Sequence, residues 1–559
     1  MDAQFDAIVI GSGITGGWAA KELTGQGLKV LMIERGRSIE HIRDYVHETQ
    51  APWQMPFHGI GDTAALKRDY SVQMHARGFD EWTADHFVKD SDHPYETDAD
   101  APFRWIRAYQ LGGRSLVWGR QSYRWSDLDF GANRRDGHGL DWPIRYADLA
   151  PWYDHVERFI GVSGDADGLP QLPDGRFQKG MALNVVERHA RKSIETAFPG
   201  RRLIIGRVAN LTEPKEGRGV CQNRSICGRG CSYGAYFSTQ SSTLPAARAT
   251  GNLTLLTDQT VERIVHDPRT RRATGIVAID SRTRRGSHYT ARLVFLCAGS
   301  FNSVGVLLRS ASEQFPHGLA NGSGVLGRYI MDHANALAAV GPVSGFEQRT
   351  TFGNRPTGIL VPRFRNVETS DPRFVRGYSY QGGAFQRSFT RGKDSPGFGA
   401  ELKSRLRAPG PWQFALVAFV ECLPREENRI TLSAARDALG LPQLKIRLRH
   451  GDNEMAAMSD AAAEARRMIE AMGGKVALSL DKPDVPGTAI HEMGGARMGE
   501  DPARAVLDAH NRAHEVPNLF LTDGACMSSS SCVNPSLTYM ALTARAANFA
   551  AREFKAGRL

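Results

Sequence analysis

Asp6-Ala-Ile-Val-Ile10 runs without a gap into Gly11-Ser-Gly13-Ile-Thr-Gly16, and this stretch decides how the chain folds. The short apolar run reads as a buried strand. Gly11 then permits a tight turn, Gly13 lets backbone approach a pyrophosphate, and Gly16 lets a helix pack closely on its strand. A helix follows through Trp18 to Leu23, and a second strand from Leu28 to Ile33 ends on Glu34, where an acid would take ribose hydroxyls. Phosphates sit well at such a helix start, because unpaired N–H groups and the helix dipole favour negative charge. Strand, glycine turn, helix, strand and acid in that order predict a dinucleotide-binding α/β unit. The motif does not separate NAD from FAD.

Working outward, 559 residues are too many for one simple core, so two intimately associated domains are expected. The net charge of +10 is spread thinly, with no compact basic tract. That pattern argues against nucleic acid and fits solubility or an acidic protein partner. No apolar run reaches the ~20 residues that span a bilayer. The first strand begins by Asp6, which leaves no room for a charged and then apolar leader, so no secretion signal of the chain's own is expected.

Residues 40–100 carry many aromatics and histidines with little periodicity, and read as a long excursion that covers something. Ala108-Tyr-Gln-Leu-Gly112-Gly113-Arg-Ser115 is a second glycine-rich turn, read as following a strand. Further strands are expected at 252–257, 259–265, 275–279 and 293–297, with a helix starting in the Ala298–Gly305 segment. From about 335 to 480 the pattern is strand-rich, ending in an Ala-rich amphipathic helix from Asn453 to Met472.

Of seven cysteines, Cys221, Cys227 and Cys231 share one eleven-residue loop. Three thiolates on glycine-rich links can converge on a soft metal centre. Zinc would need a fourth ligand, and no His or further Cys lies nearby in sequence. Three sulfurs suit an iron–sulfur cluster lacking one iron corner. On spacing alone, a cluster, a zinc site and metal-free cysteines all stay open. Cys297 lies in an apolar run and is expected to be core.

Near the C-terminal end, His491-Glu-Met-Gly-Gly-Ala-Arg-Met-Gly499 is followed by Thr522-Asp523-Gly524 and then Asn534-Pro535-Ser-Leu-Thr-Tyr. A neutral imidazole can accept a hydroxyl proton near operating pH, so His491 is the candidate base. An amide at Asn534 can hydrogen-bond a substrate oxygen without titrating. Asn534 is also expected to cap the following helix, with Pro535 in its first position.

These elements, in this order and with Glu34-Arg35-Gly36, Leu296-Cys-Ala-Gly299-Ser and Asp332-His333, resemble the glucose–methanol–choline oxidoreductases over nearly the whole chain. The resemblance implies an α/β fold: a split Rossmann-like FAD domain with an interleaved substrate domain of mostly antiparallel sheet backed by helices. The FAD domain is expected at 1–160, 220–335 and 480–559, including the 40–100 cover and the 221–231 loop, and the substrate domain at 161–219 and 336–479. It implies cofactor contacts from Gly11, Gly13, Gly16, Glu34, Arg35, Gly112, Gly113, Ser115, Val261, Asp523, Gly524, Asn534 and Pro535. His491 and Asn534 are the implied catalytic pair, with Gln381 and Glu421 in the substrate-facing half. No histidine stands in Arg114-Ser-Leu-Val-Trp118, so FAD is expected to be held without a covalent bond.

Within the family the chain is similar to the large subunits of bacterial glucoside 3-dehydrogenases. The supporting residues are the His491 segment, Asp44-Tyr45, Pro52-Trp53, Pro56-Phe-His-Gly59 and the cysteine loop. Bacterial FAD-dependent glucose dehydrogenases carry a 3Fe-4S cluster on cysteines spaced as Cys221, Cys227 and Cys231. The resemblance therefore implies oxidation of a sugar C3 hydroxyl, electrons leaving through a cluster to a cytochrome or other acceptor. It also implies a small partner subunit whose export signal carries the loaded complex to the periplasm, a cytoplasmic enzyme being the alternative. An oxygen-using sugar or alcohol oxidase, and a lyase or binding protein that retains FAD without redox turnover, are the competing readings.

Overall fold

The structure, a computed structural model, describes residues 4–351, 353–387, 391–392 and 395–559. Its first half is organised by a parallel sheet. Phe5–Ile10 lies between Val30–Ile33 and the long strand Gly286–Leu296, with Leu253–Leu256 at one edge and Leu519–Leu521 at the other, all parallel. Residues 7–10, 30–33, 293–296 and 519–521 are continuous apolar runs, all buried because both faces are covered, the pattern that buried parallel strands require. The helices Ile14–Gly25 and Ser536–Lys555 pack against each other on this sheet, bringing the two ends of the chain together.

Gly286–Leu296 serves two sheets. Its last residues pair with the first strand, while Gly286–Thr290 pair antiparallel with Arg272–Asp280, which in turn pairs with Gln259–Asp267. The expected strands in this region are all present. No strand precedes the second glycine turn; Gln110 makes only an isolated bridge to Arg37, and Gly113–Leu116 is a short 3₁₀ turn.

The other half is a five-stranded antiparallel sheet in the order Ala334–Val343, Trp412–Val420, Tyr378–Gln386, Ile359–Val361, Ile204–Ile205. The helix Asp452–Ala471 lies on it and buries Ala457, Ala461, Ala465 and Met468 against its strands. The hairpin Arg429–Arg436/Pro442–Arg447 departs from the expected division. It pairs with Glu96–Thr97, and its Ile430, Leu444 and Ile446 sit in the core of the nucleotide-binding half. The 40–100 excursion is a series of short turns and helices, and Ala76, Arg77, Gly78 and Phe87 from it wall the cavity at the carboxyl ends of the parallel strands.

Candidate active site

That cavity, about 680 Å³, runs from the first glycine turn to the last helix. It falls in the size range of cofactor and substrate pockets, at the strand ends where open α/β sheets bind ligands. Gly11, at φ +94°, could not carry a side chain, since a Cβ would lie 2.5 Å from the Cys297 carbonyl oxygen. A Cβ on Gly16 would lie 1.9 Å from the Gly11 oxygen, so Gly16 sets the helix against the turn and does not line the cavity. Around Gly13 nothing stands within 4 Å of such a Cβ, and the start of the helix Ile14–Gly25 faces open space with no side-chain cap. This is the cradle a pyrophosphate requires.

Glu34 is buried at the end of its strand and lines the cavity. It accepts from the Ser12 N–H, the Ser12 hydroxyl (2.5 Å) and the Gly36 N–H (2.8 Å). Ser12 Oγ in turn accepts from Gly112 N at 2.8 Å and ties the two glycine turns together. Gly112 therefore acts through its backbone, whereas Gly113, Ser115, Arg35 and Val261 line the cavity. Asp523 accepts from Gly299 N and Ser303 Oγ, and burial pushes its carboxyl up to about 6. Gly524, Asn534, Pro535, Ser536 and Tyr539 complete that end.

The reacting end is an ordered hydrogen-bond chain. His333 Nε2 lies 2.9 Å from the Ser531 carbonyl and 3.1 Å from that of Ser530. Carbonyls only accept, so Nε2 carries the proton and the neutral ring presents a lone pair at Nδ1. His491 Nδ1 is 2.8 Å from His333 Nδ1 and must donate to its lone pair. The lone pair of His491 is thereby placed on Nε2, the nitrogen facing Asn534 Nδ2 at 2.9 Å. Gln381 Nε2 donates to Asn534 Oδ1 at 2.5 Å, which keeps the Asn534 amide N–H₂ toward His491. Burial, with help from His333 and Arg114, holds His491 well below the usual imidazole range. The result is a neutral base whose Nε2 lone pair accepts from the Asn534 amide, at the place where a substrate hydroxyl would enter between the two.

The main chain at His491 is fixed as firmly. Asp332 accepts from His491 N at 2.9 Å and Gly487 N at 2.8 Å. Ile490, between them, has φ +63°, a strained conformation for a β-branched residue. Burial and the neighbouring Glu492 carboxylate push Asp332 up to about 7. Glu492 is itself paired with Arg114 at 2.7 Å.

Several expectations need correction. Glu421 does not face the pocket: it is wholly buried beneath the sheet, paired with Arg376 at 2.6 Å and close to Arg363. Asn534 does not cap the last helix, whose cap is Pro535 without a side-chain bond, because its amide is engaged with His491 and Gln381. Cys221, Cys227 and Cys231 are half-buried free thiols, and among the described residues no group of three His, Cys, Asp or Glu is set to hold a metal ion. Cys221 nevertheless lies close enough to Cys227 and Cys231 to feel the charge of both. Ser12, Asp332 and His333 were missed as functional. Asp332-His333 was visible only as a family mark, and nothing local gives its role.

Fold and site together define a flavin-dependent oxidoreductase acting on CH–OH groups. The family model described as GMC oxidoreductase matches residues 5–335 with its N-terminal part and 424–543 with its C-terminal part, and the chain belongs to that family, which binds FAD. It is 29% identical to a 2-methyl-1,2-propanediol dehydrogenase of Mycolicibacterium austroafricanum, over 99% of this chain and 96% of the relative. It is 24% identical to the fructose dehydrogenase large subunit of Gluconobacter japonicus, over 99% and 98%. The structure of a formate oxidase from Aspergillus oryzae superposes with a TM-score of 0.62 over 99% of both chains at 14% identity, a likeness of fold alone. Among the described residues no helix is long and apolar enough to cross a membrane.

Proposed function

We propose that the protein is a sugar dehydrogenase that oxidises the C3 hydroxyl of a glucoside or related sugar to the ketone. The observation that carries this reading is the ordered chain from the Ser531 carbonyl through His333 to His491 Nε2, with Asn534 beside it at the flavin end of the pocket. The substrate hydroxyl donates its proton to His491 Nε2, and the Asn534 amide holds the developing alkoxide oxygen. FAD, bound along the glycine cradle, supplies the acceptor for the carbon-bound hydride. The start of the last helix, with Pro535 and Ser536 at the pocket wall, favours negative charge there.

Sugar and diol dehydrogenation by the relatives supports the reaction class, and the resemblance to glucoside 3-dehydrogenases supports the C3 position. The electrons then pass to an external carrier such as a cytochrome. The iron–sulfur reading rests on the spacing of Cys221, Cys227 and Cys231 and on Cys227 lining the flavin pocket. Iron and acid-labile sulfide decide it: three irons per chain support a cluster, and none means the flavin hands over its electrons directly. A small exported partner subunit, and hence the periplasm, is part of the same reading, supported by the fructose dehydrogenase relative's being a large subunit.

Anaerobic addition of a glucoside should bleach the flavin and yield a 3-keto product. His491→Ala should keep its FAD and lose reduction by about 10²–10⁴-fold. Reduction by the variant at the wild-type rate removes His491 as base, and stoichiometric hydrogen peroxide in air would turn the dehydrogenase into an oxidase.

A further inference from the structure

Beside the catalytic pocket lies a larger groove of about 1420 Å³. Arg77, Ser225, Pro356 and Thr357 line both, so the two cavities meet at these residues. The groove wall is of one sign. Arg77, Arg188, Arg349, Arg355 and Arg407 contribute guanidinium groups, and among the described residues lining it Glu187 is the sole carboxylate. Glu187 is already neutralised, because Arg355 Nη2 lies 2.7 Å from each of its oxygens. It also accepts from Asn184 N at the start of its own helix. Arg77, Arg349 and Arg407 form no ion pair and no side-chain hydrogen bond with the described residues, and the opposing charge felt by Arg77 is that of Asp484.

A single exposed arginine is ordinarily just solvated. Three without partners around one concavity give its wall a positive charge, and walls of low dielectric focus that field into the space between them. An arginine fork matches a carboxylate or phosphate in two parallel hydrogen bonds. We propose that this groove is a substrate subsite for an oxyanionic substituent, a carboxylate or a phosphate ester carried on the aglycone, with Arg77 at the junction as its first contact. The proposal rests on the sugar-alcohol reading only for placing the oxidised hydroxyl at His491. A concavity continuous with the catalytic pocket suits an extension of the substrate; a docking protein would need an outward face.

The test uses the FAD-loaded enzyme without oxygen and three probes: phenyl β-D-glucoside, its 4-carboxy derivative and its 4-phosphate. Calorimetric binding and the rate of flavin reduction are both read. The carboxylated and phosphorylated probes should bind roughly tenfold more tightly than the neutral one at low salt, with the preference shrinking as salt rises. Arg77→Gln or Arg349→Gln should bring the preference close to one, and Arg77→Glu should reverse it. Equal binding of the three probes by the wild type overturns the proposal, as does a preference unchanged in the Arg77 variants. So does a salt effect confined to reoxidation by an acidic acceptor protein, which would make the groove a docking face. If no glucoside reduces the flavin but the anionic probes still bind more tightly through Arg77, the sugar reading fails and the anion subsite stands.

Discussion

His491 could hold its proton on either ring nitrogen, and only one choice leaves a base in the pocket. The choice is made two residues away, by carbonyls that can only accept from His333. His333 is thus a positioning residue, and its removal should show in kcat and not in cofactor content. His333→Leu leaves the His491 Nδ1–H without its acceptor and frees the ring to adopt the other tautomer. We expect kcat to fall by ~10–100-fold, the scale found when a partner that orients a functional histidine is lost, with KM and bound FAD little changed. A wild-type kcat would show that the pair is packing alone. Asp332 makes a prediction about pH. Its native carboxyl is pushed up to about 7, above the unfolded value, so the folded state binds a proton more tightly. Stability from that proton is complete at acid pH and is lost as pH rises toward 7. Asp332→Asn has no such proton, and loses one acceptor for the N–H groups of Gly487 and His491. Its Tm deficit against wild type should therefore be larger at pH 5 than at pH 8; a deficit that grows with pH contradicts the assignment.

At the scale of elements, Trp412–Val420 carries the sheet and delivers Glu421 at its end, where a carboxylate in sequence looks like a substrate ligand. Its actual partner, Arg376, is 45 positions earlier and reaches it only once Tyr378–Gln386 pairs alongside. Arg376 keeps its second carboxylate, Asp136, when Glu421 is lost, so Glu421→Ala removes one charged partner of a buried network and should destabilise by about 1–3 kcal/mol. Its effect should appear in chemical denaturation while KM for the sugar holds in the folded fraction; a raised KM at full stability would return Glu421 to the substrate site. The same example shows what the chain reveals locally. The parallel strands and the glycine turn were legible because each is one uninterrupted apolar run or one short motif with its own physical requirement. His491 and Asn534 stood out as candidates because each opens a short motif of its own, whereas Gln381 was named, like Glu421, only as a residue of the substrate-facing half. The hairpin at 429–447 was expected with the antiparallel half and pairs with Glu96–Thr97 instead, since alternation marks a buried face without saying which core buries it. Asn534 fits a helix cap by sequence, and only the approach of Gln381 and His491 shows its amide taken.

Over the whole molecule, the cofactor cavity is walled by the first strand, the second glycine turn, the 40–100 cover, Val261, the Ala298–Asn302 turn and both His491 and Asn534. No one of these segments forms the cradle alone, and the cavity also receives Gln381 and Phe419 from the antiparallel sheet. Glu34 is buried against the turn, so its carboxylate is dry and pushed upward by burial, held by Ser12 and Gly36. Binding of FAD therefore joins the two halves through a shared wall, and its free energy adds to the stability of both. With free FAD at about a thousand times its Kd, linkage adds ~4 kcal/mol to the folded state. Stripping the cofactor should lower the Tm, and increasing FAD should raise it again in proportion to the logarithm of its concentration. The shift should be seen equally by a probe in the parallel-sheet half and by one at Trp412, which is buried in the antiparallel half. If the Trp412 signal melts at one temperature whatever the FAD concentration, the two halves unfold independently, and the cavity wall contributed by Gln381 and Phe419 does not couple them.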